Sequence, residues 1–337
     1  MIDNQILASI LQPQIDFLVW LQGIRDNCPH AFNTSFLSLT KFGEIYIPTT
    51  ICGIIYWCID ELAGIYLFTL LSTNMLIAHL AKMIACIYRP WILSDKISPL
   101  KEALPYAKGY SFPSGHTLMS TSFYGGIANI YRKPIIIIIA TILIALVMFS
   151  RMWLGVHMPQ DIIFGLIMGI ILIFTTKPLI TWCEKDKKNY FILLSIINAI
   201  AFFALIYISY FKQYPMDYIN NKLIVNPESS KYTFICIYGY SLGIINGLLL
   251  CRSLFPFTTK NISNMTKIFR GVTGVILVKY CIDMLNYIFI TGNKDYKFSL
   301  VIMFIMGFII TGIYPLIFKT IENTNLYKKL QDKLCKN

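Results

Sequence analysis

The chain has 337 residues, of which 56% are hydrophobic and 14% charged, with a mean hydropathy of +0.62. That composition excludes a soluble globular protein, because too little polar material remains to cover a water-facing surface. The formal charge of +12 is spread over the segments between apolar runs, which speaks for loop-borne membrane orientation rather than a nucleic-acid patch.

The first 41 residues lack a basic segment followed by a cleavable apolar stretch, so 1–41 is expected to stay on the mature protein. If 6–24 is helical, Ile6, Leu7, Ile10, Leu11, Phe17, Leu18 and Leu21 share one face and Gln5, Ser9, Gln12 and Asp16 the other. That suits an interfacial helix on the membrane surface, although Pro13, Gln14 and Gln22 fit the pattern less well.

Nine apolar spans follow, at 46–60, 62–81, 117–131, 135–149, 162–179, 190–211, 232–250, 271–290 and 300–318. Most are of the length a helix needs to cross a hydrocarbon core of ~30 Å. The fold class expected is an all-α polytopic transmembrane bundle. Its divisions are an interfacial segment 1–41, a membrane core 42–211 and additional helices over 212–337. Threading the chain through these spans puts Arg132, Lys133, Lys185, Lys187, Lys188, Arg252, Lys260, Lys267, Arg270, Lys319, Lys328, Lys329, Lys333 and Lys336 on one side. By the positive-inside rule that side is cytoplasmic and holds the C-terminus.

The segment 82–116 breaks this rule with Lys82, Arg89, Lys96, Lys101 and Lys108 on the opposite side. Cations kept where topology disfavours them often serve an anionic ligand. In the eighth span Lys279 and Asp283 stand one helical turn apart, a spacing that suggests an ion pair used in packing, in oligomerisation or in shaping a lipid entrance. The nine cysteines form no CxxC pair and read as small buried hydrophobes.

Three patches carry chemistry, all at non-cytoplasmic span ends. Lys82 and Arg89 can face one direction if the helix continues between them, and Pro90 then favours ending it. Read alone, both are ordinary snorkelling cations. Pro113, Ser114, Gly115 and His116 precede an apolar span; Ser114 can cap that helix and Gly115 lets backbone approach an anion at the positive helix end. Ser150, Arg151, His157 and Asp161 form the third patch. Asp161, four positions after His157, can hold one ring nitrogen so that the other is free to attack. Two of the four histidines thus sit beside three cations, whereas His79 reads as a buried helix residue and His30 as a loop residue.

These patches resemble the signature of the type 2 phosphatidic acid phosphatase superfamily: Lys, six residues, Arg-Pro; Pro-Ser-Gly-His; then Ser-Arg, five residues, His, three residues, Asp. Every signature position is matched, in order, and with flanking spans the resemblance covers about residues 40–180. It implies a six-span core and a phosphatase needing no metal or cofactor. His157 is then the nucleophile that becomes phosphohistidine, His116 the acid and base, and Asp161 the residue orienting His157. Lys82, Arg89, Ser114, Gly115 and Arg151 hold the phosphoryl group.

The resemblance further implies a lipid phosphate as substrate, with membrane lipids as surroundings and no nucleic-acid partner, and leaves homo-oligomerisation open. Trp91, Tyr106, Tyr110 and Phe112, between the first two patches, suit a headgroup emerging from lipid. A lipid phosphotransferase using the same residues, and an enzyme for a soluble sugar phosphate similar to glucose-6-phosphatase, stand as alternatives.

Overall fold

The computed structural model describes residues 4–219, 221–291, 295–324 and 327. They form helices α1 (Asn4–Asp26), α2 (His30–Thr40), α3 (Tyr46–Ile54, continued by a wider turn Ile55–Ile59), α4 (Glu61–Ala85), α5 (Pro90–Leu93), α6 (Gly115–Tyr131) and α7 (Pro134–Trp153). Next come α8 (Pro159–Lys185), α9 (Lys187–Ile206), α10 (Pro227–Leu254), α11 (Asn264–Thr291), α12 (Tyr296–Phe308) and α13 (Tyr314–Glu322). A two-residue antiparallel ladder, with Tyr218 opposite Leu223, is the only strand pairing among the described residues. The all-helical class expected from composition is what folds, and several long apolar helices make the chain an integral membrane protein.

Each of the nine expected spans falls on a helix. Among the described residues, six helices are long and apolar enough to cross a membrane, or seven if 30–43 and 46–59 count as one bent span. Neither α6 nor α11 is among the six. At 17 residues, α6 reaches only ~25 Å at 1.5 Å per residue. The middle of α11 carries Lys279 and Asp283, both exposed and not paired with each other, so the ion pair suggested by their spacing does not form. Lys328, Lys329, Lys333, Lys336 and the loop residue Asn293 lie outside the described residues.

The chain packs as two compact units. The first draws on the N-terminal stretch up to Ile45, on Ile77–Ile173 and on Ile206–Phe234. Within it Arg132 takes a left-handed conformation as the C-cap of α6, and Pro134 opens α7 two residues later, so α6 and α7 form a tight helical hairpin. Gly165 and Gly169 let α8 approach α6 closely: a Cβ on Gly169 would lie 2.6 Å from Thr121 Cβ, and one on Gly165 3.0 Å from the Ser114 carbonyl. This close approach brings the N-termini of α6 and α8 together.

Helix α1 is helical as expected, but its apolar residues divide between two directions. Ile15 and Leu18 are buried against Ile97 and Met158, whereas Ile10, Phe17, Trp20 and Ile24 are exposed. The polar positions that fitted the amphipathic pattern poorly have partners instead. Gln14 exchanges hydrogen bonds with Gln160, and the Gln22 amide oxygen accepts from the Ser98 N–H at 2.7 Å.

The second unit comprises Tyr46–Leu76, Phe174–Leu205 and the stretch from Ile235 onward. Its core is a glycine seam, in which Gly239, Gly243 and Gly247 of α10 face α12 and the turn after it. Thr311 closes the seam by donating to the Ile244 carbonyl at 2.8 Å. Arg270 is buried, makes a bidentate pair with Glu322 (2.7 Å for both bonds), and stacks over Phe318. A bidentate, hydrogen-bonded geometry is what makes a buried charge tolerable.

Candidate active site

The residues of the three patches all belong to the first unit, and they arrive on three stretches of chain, 82–90, 113–116 and 150–161. Lys82 lies in the last turn of α4, Arg89 just before α5, Ser114 to His116 at the start of α6, and Arg151 in the last turn of α7. His157 follows in the loop between α7 and α8, and Asp161 stands in the first turn of α8. Gly155, at φ +69°, provides the left-handed step that turns the chain from α7 toward His157; any side chain there is strained.

His157 is buried, with Nδ1 at 3.2 Å from Asp161 Oδ2 and Nε2 at 3.1 Å from Arg89 Nη1. Guanidinium nitrogens only donate, so Nε2 presents its lone pair and the proton sits on Nδ1, directed at Asp161. The same Asp161 oxygen accepts from the Met158 N–H at 3.0 Å and from Ser111 Oγ at 2.5 Å. Burial, then the Arg89, Arg151 and Lys82 charges, holds the His157 imidazole well below its usual pKa. It is therefore a neutral base with a fixed tautomer.

The cations are anchored on backbone carbonyls. Arg89 donates to the carbonyls of Val156, Gly109 and Lys108, and Lys82 Nζ to those of Tyr110 (3.1 Å) and Ser111 (3.0 Å). Arg151 Nη1 donates to Thr40 Oγ1 at 2.6 Å. Ser114 caps α6, accepting from the Thr117 N–H and hydroxyl, while its own N–H donates to the Asp161 carbonyl. That last bond ties the second and third patches directly.

Three buried polar atoms of these residues have no hydrogen-bond partner: Arg151 Nε, His116 Nε2 and Asp161 Oδ1. Buried polar atoms are normally paired, so orphans on three of the patch residues make this a candidate ligand position. Beside them a Cβ on Gly115 would meet nothing within 4 Å, which leaves open space next to the N-terminus of α6. A helix N-terminus, an unsatisfied guanidinium nitrogen and neighbouring ammonium and guanidinium groups suit a phosphate dianion. No three His, Cys, Asp or Glu side chains among the described residues cluster as metal ligands would.

Several contributors escaped the sequence reading. Ser111 bridges Asp161 and the His157 ring, with Oγ 3.3 Å from Nδ1; its only sequence signal is adjacency to the second patch. Thr40 holds Arg151 across 111 positions of sequence, a separation no local pattern reveals. Gly43 lies against His116, where an added Cβ would come within 3.0 Å of the His116 Cβ and carbonyl. The N-terminal segment thus lines the site, a part not visible in its amphipathic pattern. His30 opens α2 rather than lying in a loop.

Residues 62–185 match the PAP2 superfamily model. The chain carries a PAP2 superfamily domain. Residues 235–328 further match the PAP2 superfamily phosphatase transmembrane extension, so the additional helices have a family description of their own. Phosphatidylglycerophosphatase B of Bacillus subtilis is 31% identical over 111 residues, 30% of this chain and 52% of that protein. Undecaprenyl-diphosphatase of Sulfolobus acidocaldarius is 29% identical over 140 residues, 41% and 65% respectively. Lipid phosphate phosphatase delta of Arabidopsis thaliana is 24% identical over 205 residues, 55% and 46%. The chain thus spans about half to two thirds of the length of these PAP2-type relatives. No solved structure matches it.

Proposed function

We propose that this chain is a membrane phosphatase that hydrolyses a phosphate monoester or diphosphate of a lipid through a phosphohistidine on His157, without a metal. The observation that carries the reading is the His157 tautomer: Arg89 donates to Nε2 while Asp161 faces Nδ1. In the first step Nε2 attacks phosphorus, an N–P bond forms, the ester P–O bond breaks, and His116 gives its proton to the departing oxygen. In the second, water attacks phosphorus, His116 takes the water proton, and the N–P bond breaks to free His157 and inorganic phosphate. Asp161 stabilises the positive charge on the ring. Lys82, Arg89 and Arg151, with Ser114 and the Gly115 N–H, offset the charge growing on the phosphoryl oxygens.

The names of the relatives support a lipid substrate, since they specify phosphatidylglycerophosphate, undecaprenyl diphosphate and lipid phosphate. The 71% exposure of Tyr106, between the first two patches, supports a headgroup met at an interface. The charge rule puts this site on the non-cytoplasmic face, the C-terminus in the cytoplasm and nine crossings between the ends. A membrane-impermeant thiol reagent applied to intact cells tests that side: Lys101→Cys becomes labelled, and protection of Lys101→Cys would reverse the topology.

The reaction is tested by phosphate release from a panel of lipid and sugar phosphates, with purified protein in detergent and EDTA. Release from lipid phosphates that persists in EDTA and disappears in His157→Ala is expected. Loss of activity in EDTA counts against metal independence, and preference for a sugar phosphate counts against the lipid.

A further inference from the structure

We propose that the outer face of α11 is the interface of a symmetric homodimer, closed by two reciprocal ion pairs between Lys279 of one copy and Asp283 of the other. Both side chains are exposed on the second unit, and no ion pair joins them within the chain. They lie on one stripe with Val272, Ile276, Tyr280 and Tyr287, of which Ile276 is 63% and Tyr280 62% exposed. Helical spacing of three and four residues keeps all six on one side.

The depth of these charges makes the exposed face costly in a single chain. α11 has 28 residues, so it is ~42 Å long at 1.5 Å per residue. If its middle sits at the membrane centre, Lys279 lies only ~2 Å from that centre and Asp283 ~8 Å, within a core half-thickness of ~15 Å. The Lys279 side chain, on the order of 6 Å long, falls well short of water by snorkelling. The match to the family's transmembrane extension covers α11, and α10 and the Tyr296–Glu322 segment on either side of it are long and apolar enough to cross. An ammonium and a carboxylate set in hydrocarbon with no ion-pair partner among the described residues then call for partners from a neighbouring molecule.

A second copy supplies them in matched number. Two parallel α11 helices related by a two-fold axis along the membrane normal offset Lys279 from the opposing Asp283 by ~6 Å in height, a gap the lysine stem spans. Symmetry repeats the contact, so both ions of both chains are satisfied. Next to the stripe, an apolar groove of about 660 Å³ between α3 and α11, lined by Ile54, Ile59, Ile268 and Val275, leaves room for side chains of the partner.

The test uses two differently tagged full-length chains, co-expressed and extracted with their lipids in polymer nanodiscs, one tag being captured and the other quantified. Wild-type chains are expected to co-purify. Lys279→Asp in both copies, or Asp283→Lys in both, sets like charges face to face and lowers co-purification by about tenfold or more. Pairing a Lys279→Asp chain with an Asp283→Lys chain restores it, which also shows that neither substitution unfolds the protein. The proposal is overturned if wild-type chains are captured singly or with a different protein on this face. It is equally overturned if the single substitutions leave co-purification unchanged or if the mixed pair does not recover it.

Discussion

At the scale of single residues, the geometry of the candidate site fixes one proton. Because Arg89 can only donate, the lone pair of His157 Nε2 is defined before any substrate arrives, and Ser111 fixes the carboxylate that holds the other nitrogen. Ser111→Ala removes a hydrogen bond to a charged group, worth about 1.5–3 kcal/mol, so kcat is expected to fall about ten- to a hundredfold. KM should stay within about twofold, because the Ser111 hydroxyl lies at Nδ1 of His157 rather than at the proposed attacking Nε2; a change confined to KM would place Ser111 in substrate binding instead. The pH profile has a definite sign. As the proposed nucleophile His157 must be neutral, and burial with three nearby cations lowers its pKa, so the neutral form persists below pH 6.5. The acid limb of kcat/KM that belongs to His157 is thus expected below 6.5, and a limb above it would contradict the buried, cation-flanked geometry. The catalytic candidates were legible because their spacing repeats a known signature. Ser111 and Thr40 were not, since each acts through a contact fixed only when distant segments pack.

At the scale of elements, small residues decide which helices meet. The helices were readable from hydropathy to within a few residues at most ends, because long apolar runs are a membrane requirement independent of tertiary detail, whereas six, or seven with one bent pair, are long and apolar enough to cross among the described residues. The partners of each helix were not, although glycines at intervals of four on α8 and α10 carry that information. A Cβ on Gly243 would sit 2.0 Å from the Phe304 carbonyl oxygen, whereas one on Gly115 meets open space. Gly243→Ala is therefore expected to destabilise the protein by about 1–3 kcal/mol, as overpacking does. Gly115→Ala should leave the melting temperature in detergent unchanged and lower phosphate release by intruding on the anion position. Equal melting temperatures for the two variants would refute the close α10–α12 contact. The two apolar directions of α1 were misread as one because Ile15 and Leu18 belong to a packed core that sequence periodicity does not distinguish from a lipid-facing stripe.

At the scale of the whole molecule, charge placement and chemistry converge. A chain this apolar spends its few charges sparingly, and of the five cations that stand against the topology rule, Lys82 and Arg89 join the candidate site that holds the orphaned atoms of His116, Arg151 and Asp161, whereas Lys96, Lys101 and Lys108 stay exposed. Composition shows the membrane class and the signature shows the PAP2 domain, whereas the lipid alcohol is written in neither. The proposed mechanism turns on a covalent intermediate, and the most direct measurement is alkali-quenched labelling of the purified chain with a ³²P-labelled lipid phosphate, followed by mapping of the labelled peptide at alkaline pH. Label that is stable to alkali, lost in acid on standing and located on His157 is predicted, with none in His157→Ala and an accumulated, slowly released adduct in His116→Ala. Label on another residue, or normal turnover in His157→Ala, would contradict it.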